Sequence, residues 1–357
     1  MRIGLDLTRS AVAERGGIGR YAVGLAHGLL EVAPEHELVA CYRLSALRRR
    51  GQLPLHSARV RTRFYWDRFD PLLAHGLDLF HGLESRAARF GRVRQVVTLH
   101  EVMHLWMPLV RDDAGRARRE REYAEIRSRA DVVITPSEFE RGQIIEHLAL
   151  SAERVRAIPL APAMDFVART SPDPSVLARL GVSGSYLLFV GSLHRRKNVL
   201  RMLDAFAALA TEARLVLAGA PHPSIAAQID ERVGALAGRV LRLGFVADAD
   251  LPHLYAGARA FLLPSEYESF GIPILEAMAC GCPVITSDVA SMPEVAGGAA
   301  QLCDPTSVDS IAAAVGRVLE EPGLAERLRK AGLARAQEFT WPRIAQRTMQ
   351  VYREVAS

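Results

Sequence analysis

Long hydrophobic runs are missing from this sequence of 357 residues. No stretch is long enough to span a bilayer, which needs about 20 consecutive apolar residues. The N-terminus also lacks the layout of a secretion signal, because Asp6 interrupts its short apolar run. We therefore expect a cytoplasmic protein. Apolar residues make up 49% and charged residues 24%, which is typical of a globular chain, and the length suffices for two domains.

Cysteine is scarce, with four residues at Cys41, Cys280, Cys282 and Cys303. None of them forms a Cys-x-x-Cys pair, and Cys280 and Cys282 are too close in sequence for an unstrained disulfide or a zinc knuckle. This spacing argues against a disulfide framework and a structural zinc site. Reduced, buried thiols are the expected state.

Lysine is rarer still: Lys197 and Lys330 are the only two, and arginine supplies nearly all the positive charge. The net charge of +5 is confined to the first half, which has 26 basic and 21 acidic residues through Asp165, against 19 of each afterwards. The excess is concentrated in residues 43–63 and 111–129. If these segments share a face, they form a patch suited to an anionic membrane surface or a lipid-diphosphate acceptor. The alternative is arginine scattered over a solvated surface; no nucleic-acid-binding module is apparent.

The order of elements predicts an α/β fold. Apolar, β-branched-rich runs predict strands at 2–7, 38–42, 77–80, 96–99, 132–135, 155–158, 186–190, 215–219, 260–263 and 284–286, and one ending near 246. Helical patterns lie between several of them, and this alternation is typical of doubly wound parallel sheets, whose ligands bind beyond the carboxyl ends of the strands. Residues 170–174 are rich in turn formers and predict a domain boundary. No internal repeat or low-complexity segment is present.

Residues 264–281 are the most informative stretch. A buried strand is followed by a loop with Gly271 and by Pro273, which suits the first position of a helix. The N–H groups at such a helix start favour phosphate. Glu268 lies in the loop, and Glu276 is expected in the first helical turn. Carboxylates only accept hydrogen bonds when ionised, so both suit sugar hydroxyls. The alternative is that Glu276 complements the helix dipole and Glu268 is a solvated loop charge.

A second phosphate-binding layout spans residues 191–199. Gly191 follows a predicted strand, and basic residues including Arg196 and Lys197 precede a predicted helix. A cationic surface loop is the alternative.

Two features of the first half also point to ligand binding. Residues 16–22 place glycines at a predicted helix start, but the loop from Leu7 is too long for a dinucleotide fingerprint, and no acid follows the second strand. An NAD-dependent oxidoreductase is therefore disfavoured. A glycine-rich loop at a helix start could instead approach a diphosphate or an acceptor, and a flexible loop without a ligand is the alternative. His100 follows the strand at 96–99 and is expected in the site. Ser137 is predicted to cap the next helix.

These stretches resemble the retaining glycosyltransferases of family 4, which have the two-domain GT-B fold. The match covers Glu268, Phe270, Gly271, Pro273 and the run Glu276-Ala-Met-Ala. It extends to the pattern Val-Gly-x-Leu-x-x-Arg-Lys-Asn, which ends at Asn198. Ser192 departs from relatives that have arginine directly after the glycine, and either Arg196 compensates or fewer charges hold the diphosphate.

The resemblance implies two Rossmann-like domains facing across a cleft, an acceptor-side domain at 1–170 and a nucleotide-sugar domain at 175–340. It also implies that the final helix, 341–357, packs back on the first domain. The implied catalytic residues are His100, Lys197 and Glu268. The implied donor-binding residues are Gly17, Gly191, Ser192, Arg196, Lys197, Phe245, Val246, Ser269, Phe270, Gly271, Ile272 and Glu276. We expect no catalytic metal and no cofactor, because Asp248 and Asp250 precede a predicted helix and are interpreted as capping residues.

The predicted activity is transfer of a hexosyl group, with retention, from GDP-mannose or a UDP- or dTDP-sugar to a glycan or lipid-linked acceptor. By resemblance the sugar is mannose or rhamnose, in polysaccharide synthesis. A nucleotide-sugar epimerase on the same fold is one alternative, and it would need no acceptor. A non-catalytic nucleotide-sugar-binding protein is another, and it would turn nothing over.

Overall fold

A computed structural model of the chain describes residues 1–11, 17–53, 59–66, 75–89, 93–107, 113–162, 166 and 171–357. The first residue of the expected boundary segment, Thr170, lies outside the described residues, as do Arg111 and the side chains of Arg49 and Arg50. The chain divides into two compact units. One consists of Met1–Ala163 together with Thr340–Ser357, and the other of Met164–Phe339.

The strands of the described residues are β1 Arg2–Asp6, β2 Glu37–Arg43, β3 Val60–Tyr65, β4 Leu79–Gly82, β5 Arg94–Thr98, β6 Val132–Thr135, β7 Val155–Ala157, β8 Tyr186–Val190, β9 Arg214–Ala218, β10 Val240–Gly244, β11 Ala260–Leu263, β12 Val284–Ser287 and β13 Gln301–Cys303. The helices are α1 Gly17–Val32, α2 Asp113–Arg129, α3 Glu138–Leu148, α4 Pro174–Arg179, α5 Val199–Ala207, α6 Ala226–Ala235, α7 Leu251–Gly257, α8 Ile272–Ala279, α9 Met292–Ala296, α10 Val308–Glu320, α11 Leu324–Ala336 and α12 Trp341–Ala356.

Each unit is built on one sheet whose described strands are all parallel. The first sheet has the order β3-β2-β1-β4-β5-β6-β7 and the second the order β10-β9-β8-β11-β12-β13. In both sheets the chain first builds outward on one side of the starting strand and then on the other, as in doubly wound folds. The predicted α/β class is confirmed.

The central strands are apolar because helices cover both faces of a parallel sheet. Every residue of β8 and of β11 is buried, and both strands have the bounds that the sequence predicts. β3 was not predicted. Its sequence is VRTRFY, and Arg61 is exposed within the strand. A charged residue is tolerated there because β3 is at the edge of the sheet.

The last helix belongs to the first unit, where it packs on α1. The Trp341 ring lies so close to Gly24 that a Cβ there would sit 2.1 Å from Cε2 of the ring. The indole N–H donates to the Pro162 carbonyl at 3.0 Å, and the Tyr352 hydroxyl is hydrogen-bonded to Nδ1 of buried His81 at 2.6 Å. A glycine on α1 therefore provides the space in which this helix docks.

The cysteines are free and buried, as expected. Ser137 caps α3, since its hydroxyl accepts a hydrogen bond from the Glu140 N–H at 3.1 Å. Among the described residues, no helix is both long and apolar enough to cross a bilayer.

Candidate active site

The loop between β11 and α8 is held in one conformation by its own backbone and by Ser291. Gly271 stands before the helix with φ of 95°, in the left-handed region that glycine adopts without strain. The Ser291 hydroxyl shares its single proton between the carbonyls of Glu268 and Phe270, at 2.7 and 3.0 Å. These contacts hold the backbone of Glu268 in place and so restrict the position of its side chain. The sequence position of Ser291 gave no sign of this contact.

Glu268 is the centre of a charged cluster. Its Oε1 accepts hydrogen bonds from the Lys197 ammonium and, at 2.8 Å, from the Ser265 hydroxyl. Its Oε2 accepts one from the Arg196 guanidinium at 3.2 Å, and Arg196 also donates to the Tyr267 carbonyl at 2.9 Å. The structure thus joins the basic loop after β8 to the acidic loop after β11.

Burial and charge act in opposite directions on Glu268. The residue is only 6% exposed, and burial alone would raise the pKa of its carboxyl. The charges of Lys197 and Arg196, with the hydrogen bonds from Lys197 and Ser265, outweigh that effect and leave the pKa lowered. Glu268 is therefore ionised at neutral pH, and it is a buried ion-pair partner rather than a solvated loop charge.

The Lys197 ammonium has more donors than Glu268 uses. An ammonium carries three N–H donors, and Lys197 donates one of them to Glu268. The Glu268 carboxylate fixes the orientation of the Lys197 side chain. The other two N–H donors of Lys197 are therefore also restricted in position. Such preorganised positive charge is what a departing diphosphate requires.

Two further features position this basic loop. Asn198, in the left-handed region with φ of 58°, donates through Nδ2 to the carbonyls of Pro264 and Pro305 at 2.9 and 2.7 Å. Gly219, after β9, approaches the carbonyl of Gly191 so closely that a Cβ would lie 1.9 Å from its oxygen. The loops after β8, β9 and β11 are therefore tied together at the carboxyl edge of the sheet.

Glu276 lies just beyond the first turn of α8, one residue deeper than the sequence suggested. α8 begins at Ile272, so Glu276 is its fifth residue, and no acid stands in the first turn. The expectation of a first-turn carboxylate was wrong because the helix starts one residue before Pro273. Glu276 is 3% exposed, and its Oε2 accepts a hydrogen bond from the buried Tyr255 hydroxyl at 3.1 Å. Sequence reasoning gave no signal for Tyr255.

The remaining expected donor residues of the second unit also lie at the carboxyl edge of its sheet. Gly191 and the exposed Ser192 follow β8, and Ser269 and Phe270 precede α8. Phe245 and Val246 follow β10; the Phe245 side chain is 70% exposed, whereas Val246 is buried.

His100 and Gly17 belong to the first unit. The backbone N–H of His100 donates to the Ser85 hydroxyl at 3.3 Å, and its Nε2 lies 3.0 Å from the Leu83 carbonyl oxygen, to which it donates. The ring meets Tyr21 edge-on with centroids 5.2 Å apart. Burial lowers the pKa of His100, so the ring is neutral at neutral pH, with Nδ1 as its acceptor. Gly17 is the exposed first residue of α1.

Asp250 does not cap a helix through its side chain. It stands at the N-cap position of α7 without a capping hydrogen bond, and Oδ1 accepts from Arg179 at 2.7 Å instead. The interpretation of Asp250 as a side-chain cap was therefore wrong. Within the described residues, no group of three or more His, Cys, Asp or Glu side chains is arranged to hold a metal ion.

Two family models match the two halves of the chain. Residues 181–335 match "Glycosyl transferases group 1", and residues 15–161 match "Glycosyltransferase Family 4". The O-antigen chain mannosyltransferase B of Escherichia coli is 35% identical over 268 residues, which span 73% of this chain and 70% of that protein. The chain belongs to the family 4 glycosyltransferases. This glycosyltransferase is also 34% identical over 248 residues to the alpha-maltose-1-phosphate synthase of Mycolicibacterium smegmatis, across 64% of each chain.

Solved structures show the same fold. A sucrose-phosphate synthase from Thermosynechococcus elongatus aligns with a TM-score of 0.77 at 23% identity, over 99% of both chains. HepE from Anabaena, in complex with UDP and glucose, aligns with a TM-score of 0.76 at 19% identity, again over 99% of both chains. The enzyme therefore has the GT-B fold, with two Rossmann-like units.

Proposed function

We propose that this glycosyltransferase moves a hexosyl group from a nucleoside-diphosphate sugar to a glycan or lipid-linked acceptor, with retention of anomeric configuration. The observation that carries the proposal is the cluster of Lys197 and Arg196 on buried Glu268, beside the start of α8. Fixed cations and helix N–H groups at one edge suit a diphosphate leaving group.

Each site residue has a role in this proposal. Lys197, Arg196 and the amides near Gly271 stabilise the negative charge that develops on the departing diphosphate. Glu276, held by the Tyr255 hydroxyl, accepts hydrogen bonds from the ribose. Glu268 orients the cations and offers its remaining lone-pair capacity to a hydroxyl of the sugar.

The role proposed for His100 is to accept, through the Nδ1 of its neutral ring, a hydrogen bond from a substrate hydroxyl. The acceptor attacks from the face that the diphosphate leaves. The new glycosidic bond forms as the bond from the anomeric carbon to the phosphate oxygen breaks, and the leaving phosphate takes the acceptor proton. No protein nucleophile is needed for retention by this route.

Mannose is the favoured sugar and GDP-mannose the favoured donor, with rhamnose from a dTDP- or UDP-sugar as the second choice. The support is that the E. coli relative, 35% identical, carries the name of an O-antigen chain mannosyltransferase. By the same likeness the acceptor is a growing glycan chain.

We also propose that the enzyme works without a metal and associates peripherally with the inner face of the membrane. In this proposal Lys197 and Arg196 supply the positive charge that a metal would otherwise bring to the diphosphate. The excess of 26 basic over 21 acidic residues through Asp165 supports attraction to anionic lipid.

The test is to incubate the enzyme with GDP-mannose, UDP-sugars and dTDP-sugars, with and without an oligosaccharide acceptor, and to analyse the products by NMR. A new glycosidic bond with the anomeric configuration of the donor supports the proposal. Inversion contradicts the retaining mechanism. Formation of an altered sugar nucleotide without acceptor would identify an epimerase, and donor binding without turnover across the acceptor panel would identify a binding protein.

A further inference from the structure

Four residues from four elements form a buried hydrogen-bonded chain in the first unit. The Tyr352 hydroxyl of α12 lies 2.6 Å from Nδ1 of His81 on β4, and Nε2 of that imidazole lies 2.8 Å from the Thr98 hydroxyl on β5. The Thr98 hydroxyl is in turn hydrogen-bonded to the Tyr21 hydroxyl of α1 at 2.9 Å. Each of the four residues is no more than 3% exposed. None of them has a role in the mechanism above.

The charge state of His81 keeps this chain continuous. Burial, with a smaller contribution from nearby His100, lowers the pKa of His81 to about 3, so the ring is neutral at neutral pH. A neutral imidazole has one donor nitrogen and one acceptor nitrogen. His81 therefore donates to one of its two hydroxyl partners and accepts from the other. Because an unmade hydrogen bond is costly in the interior, each member of the chain orients the next.

Helix α12 also contacts Tyr21 by packing. The ring of Trp341, the first residue of α12, is tilted by 49° against the Tyr21 ring, with centroids 6.1 Å apart. Trp341 is itself held by its hydrogen bond to the Pro162 carbonyl and by the space at Gly24. Two separate residues of α12 thus act on one tyrosine of α1.

The other neighbour of the Tyr21 ring is His100. The two rings lie edge to face, with centroids 5.2 Å apart and planes inclined at 87°. The hydrogen bond from Nε2 of His100 to the Leu83 carbonyl restrains rotation of the imidazole only weakly, because the Cβ–Cγ axis of that rotation passes near Nε2. A contact on the ring face is needed to set its plane, and the plane determines where Nδ1 lies. Tyr21 makes such a contact.

We propose that Tyr21 is a positioning residue, which orients the imidazole of His100 for its hydrogen bond to substrate and is itself set in place by α12. The helix acts through the hydrogen-bonded chain and through the Trp341 ring. This inference rests on the proposed function, since it concerns how the histidine of that site is held. Docking of the last helix is then a condition for the working geometry of the first unit, in addition to completing its fold.

The pKa of His100 provides a readout of the Tyr21 contact. Burial lowers that pKa, against the opposing effects of the Leu83 carbonyl and the negative charge of Glu101. The Tyr21 ring supplies part of the cover. Loss of the ring should therefore raise the pKa of His100, whereas loss of the hydroxyl alone should not.

The kinetic test uses variants at the two ends of the chain. Tyr21→Phe and Tyr352→Phe are each expected to lower kcat about three- to tenfold with the donor KM unchanged, because each loses one neutral hydrogen bond. The double variant should be no slower than the slower single variant, since both changes interrupt the same chain. Thr348→Val is the matched control. It removes another buried hydroxyl of α12, which donates to the Ile344 carbonyl of the same helix at 2.8 Å, and it should keep the wild-type kcat.

The spectroscopic test is NMR of the full-length enzyme labelled at histidine, in which the His100 signals are those missing from His100→Ala. In Tyr21→Leu the pKa of His100 should rise toward its ordinary value of 6.5. Tyr21→Phe and Tyr352→Phe should shift the His100 signals while the pKa stays as in the wild type. Thr348→Val should leave both unchanged, because a loss of stability alone does not reorient this ring.

The outcomes separate this inference from the function on which it rests. Wild-type kcat and unchanged His100 signals in Tyr21→Phe and Tyr21→Leu would overturn the inference. Losses that add in the double variant would overturn the action of α12 through Tyr21. If His100→Ala turns over at the wild-type rate, the role proposed for His100 is wrong, and the NMR result still decides whether Tyr21 sets its ring. If the wild type transfers no sugar, the proposed function fails, and the ring orientation is again decided by NMR alone.

Discussion

Lys197 and Glu268 are 71 positions apart in the chain, yet the ammonium of the first donates directly to Oε1 of the second. The contact exists because β8 and β11 are neighbours in the sheet and both residues follow the carboxyl ends of those strands. A buried carboxylate thereby orients the cation to which the proposed mechanism assigns the diphosphate. The site residues can be tested separately.

Lys197→Ala is expected to lower kcat about ten- to a hundredfold, because a hydrogen bond to a charged group contributes roughly 1.5–3 kcal/mol. The measurement is initial-rate kinetics at saturating donor. Lys330→Ala is the matched control, since the Lys330 side chain is 74% exposed on α11 and lies 3.6 Å from Glu326. Equal rates for both variants and the wild type would remove Lys197 from the reaction.

Glu276→Gln is expected to raise the KM for the donor about tenfold or more, with a smaller effect on kcat, because the ribose contact is made before and during reaction. Tyr255→Phe removes the hydroxyl that holds Glu276 and should raise KM a few-fold. Tyr186→Phe is a matched control, since its buried hydroxyl donates to the Leu254 carbonyl instead. A ribose role is excluded if Glu276→Gln leaves KM unchanged.

Activity is expected to persist after EDTA treatment and dialysis, since Lys197 and Arg196 supply positive charge at the diphosphate. The assay compares treated enzyme with and without added magnesium or manganese. Complete loss of activity that either ion restores would overturn metal-independence and return attention to Asp248 and Asp250.

Glu84 is expected to make the stability of the first unit depend on pH. Burial, together with the negative charge of Asp6, raises the pKa of Glu84 to about 7 from 4.5, although Arg43 and Arg9 oppose the shift. The folded protein therefore keeps a proton that the unfolded chain has lost between pH 4.5 and 7, so stability falls as pH rises through that window.

Glu84→Gln should remove this dependence. The free energy of unfolding of the variant, minus that of the wild type, is expected to increase by on the order of 2 kcal/mol from pH 5 to pH 8. Denaturant unfolding at several pH values measures the gain. Glu138→Gln, at an exposed acid of α3, is the control for loss of one carboxylate. A constant difference between Glu84→Gln and wild type across the range would contradict the raised pKa.

Peripheral membrane binding is expected with anionic vesicles and not with neutral ones, and it should weaken as salt rises, because each basic residue near the surface contributes about 1 kcal/mol. Vesicle sedimentation measures it. Combined Arg48, Arg49 and Arg50→Ser should reduce binding, whereas serine at Arg327, Arg329 and Lys330 removes three charges from α11 as a control. Equal, negligible pelleting with both lipids at low salt would refute the association.

The fold was largely predictable because the strands that define it are buried on both faces. Tyr186–Val190 and Ala260–Leu263 are unbroken apolar runs, and the structure gives them the predicted bounds. The strand Val60–Tyr65 was not predicted, because Arg61 and Arg63 interrupt its apolar pattern. Its position at the sheet edge permits these charged residues.

The interior of the site was less predictable. Lys197 and Glu268 were selected from local patterns, but their direct contact depends on which strands are neighbours. The Tyr255 hydroxyl donates to Glu276, 21 positions away, and the Ser291 hydroxyl to the Glu268 carbonyl, 23 positions away. In sequence, neither residue differs from an ordinary core tyrosine or loop serine. Contacts of this kind follow from topology, which local patterning does not specify.

The membership of α12 in the first unit sets an order for synthesis on the ribosome. Residues 164–339, which form the other unit, are translated before Trp341, and at about 5–20 residues per second this takes on the order of ten to thirty seconds. Throughout that time the surface of α1 around Gly24 and Gly28 has no tryptophan against it. The second unit, which is continuous in sequence, can finish folding while the first still waits for its closing helix. A nascent chain stalled before residue 341 would therefore leave this face of α1 uncovered and accessible to chaperones and proteases.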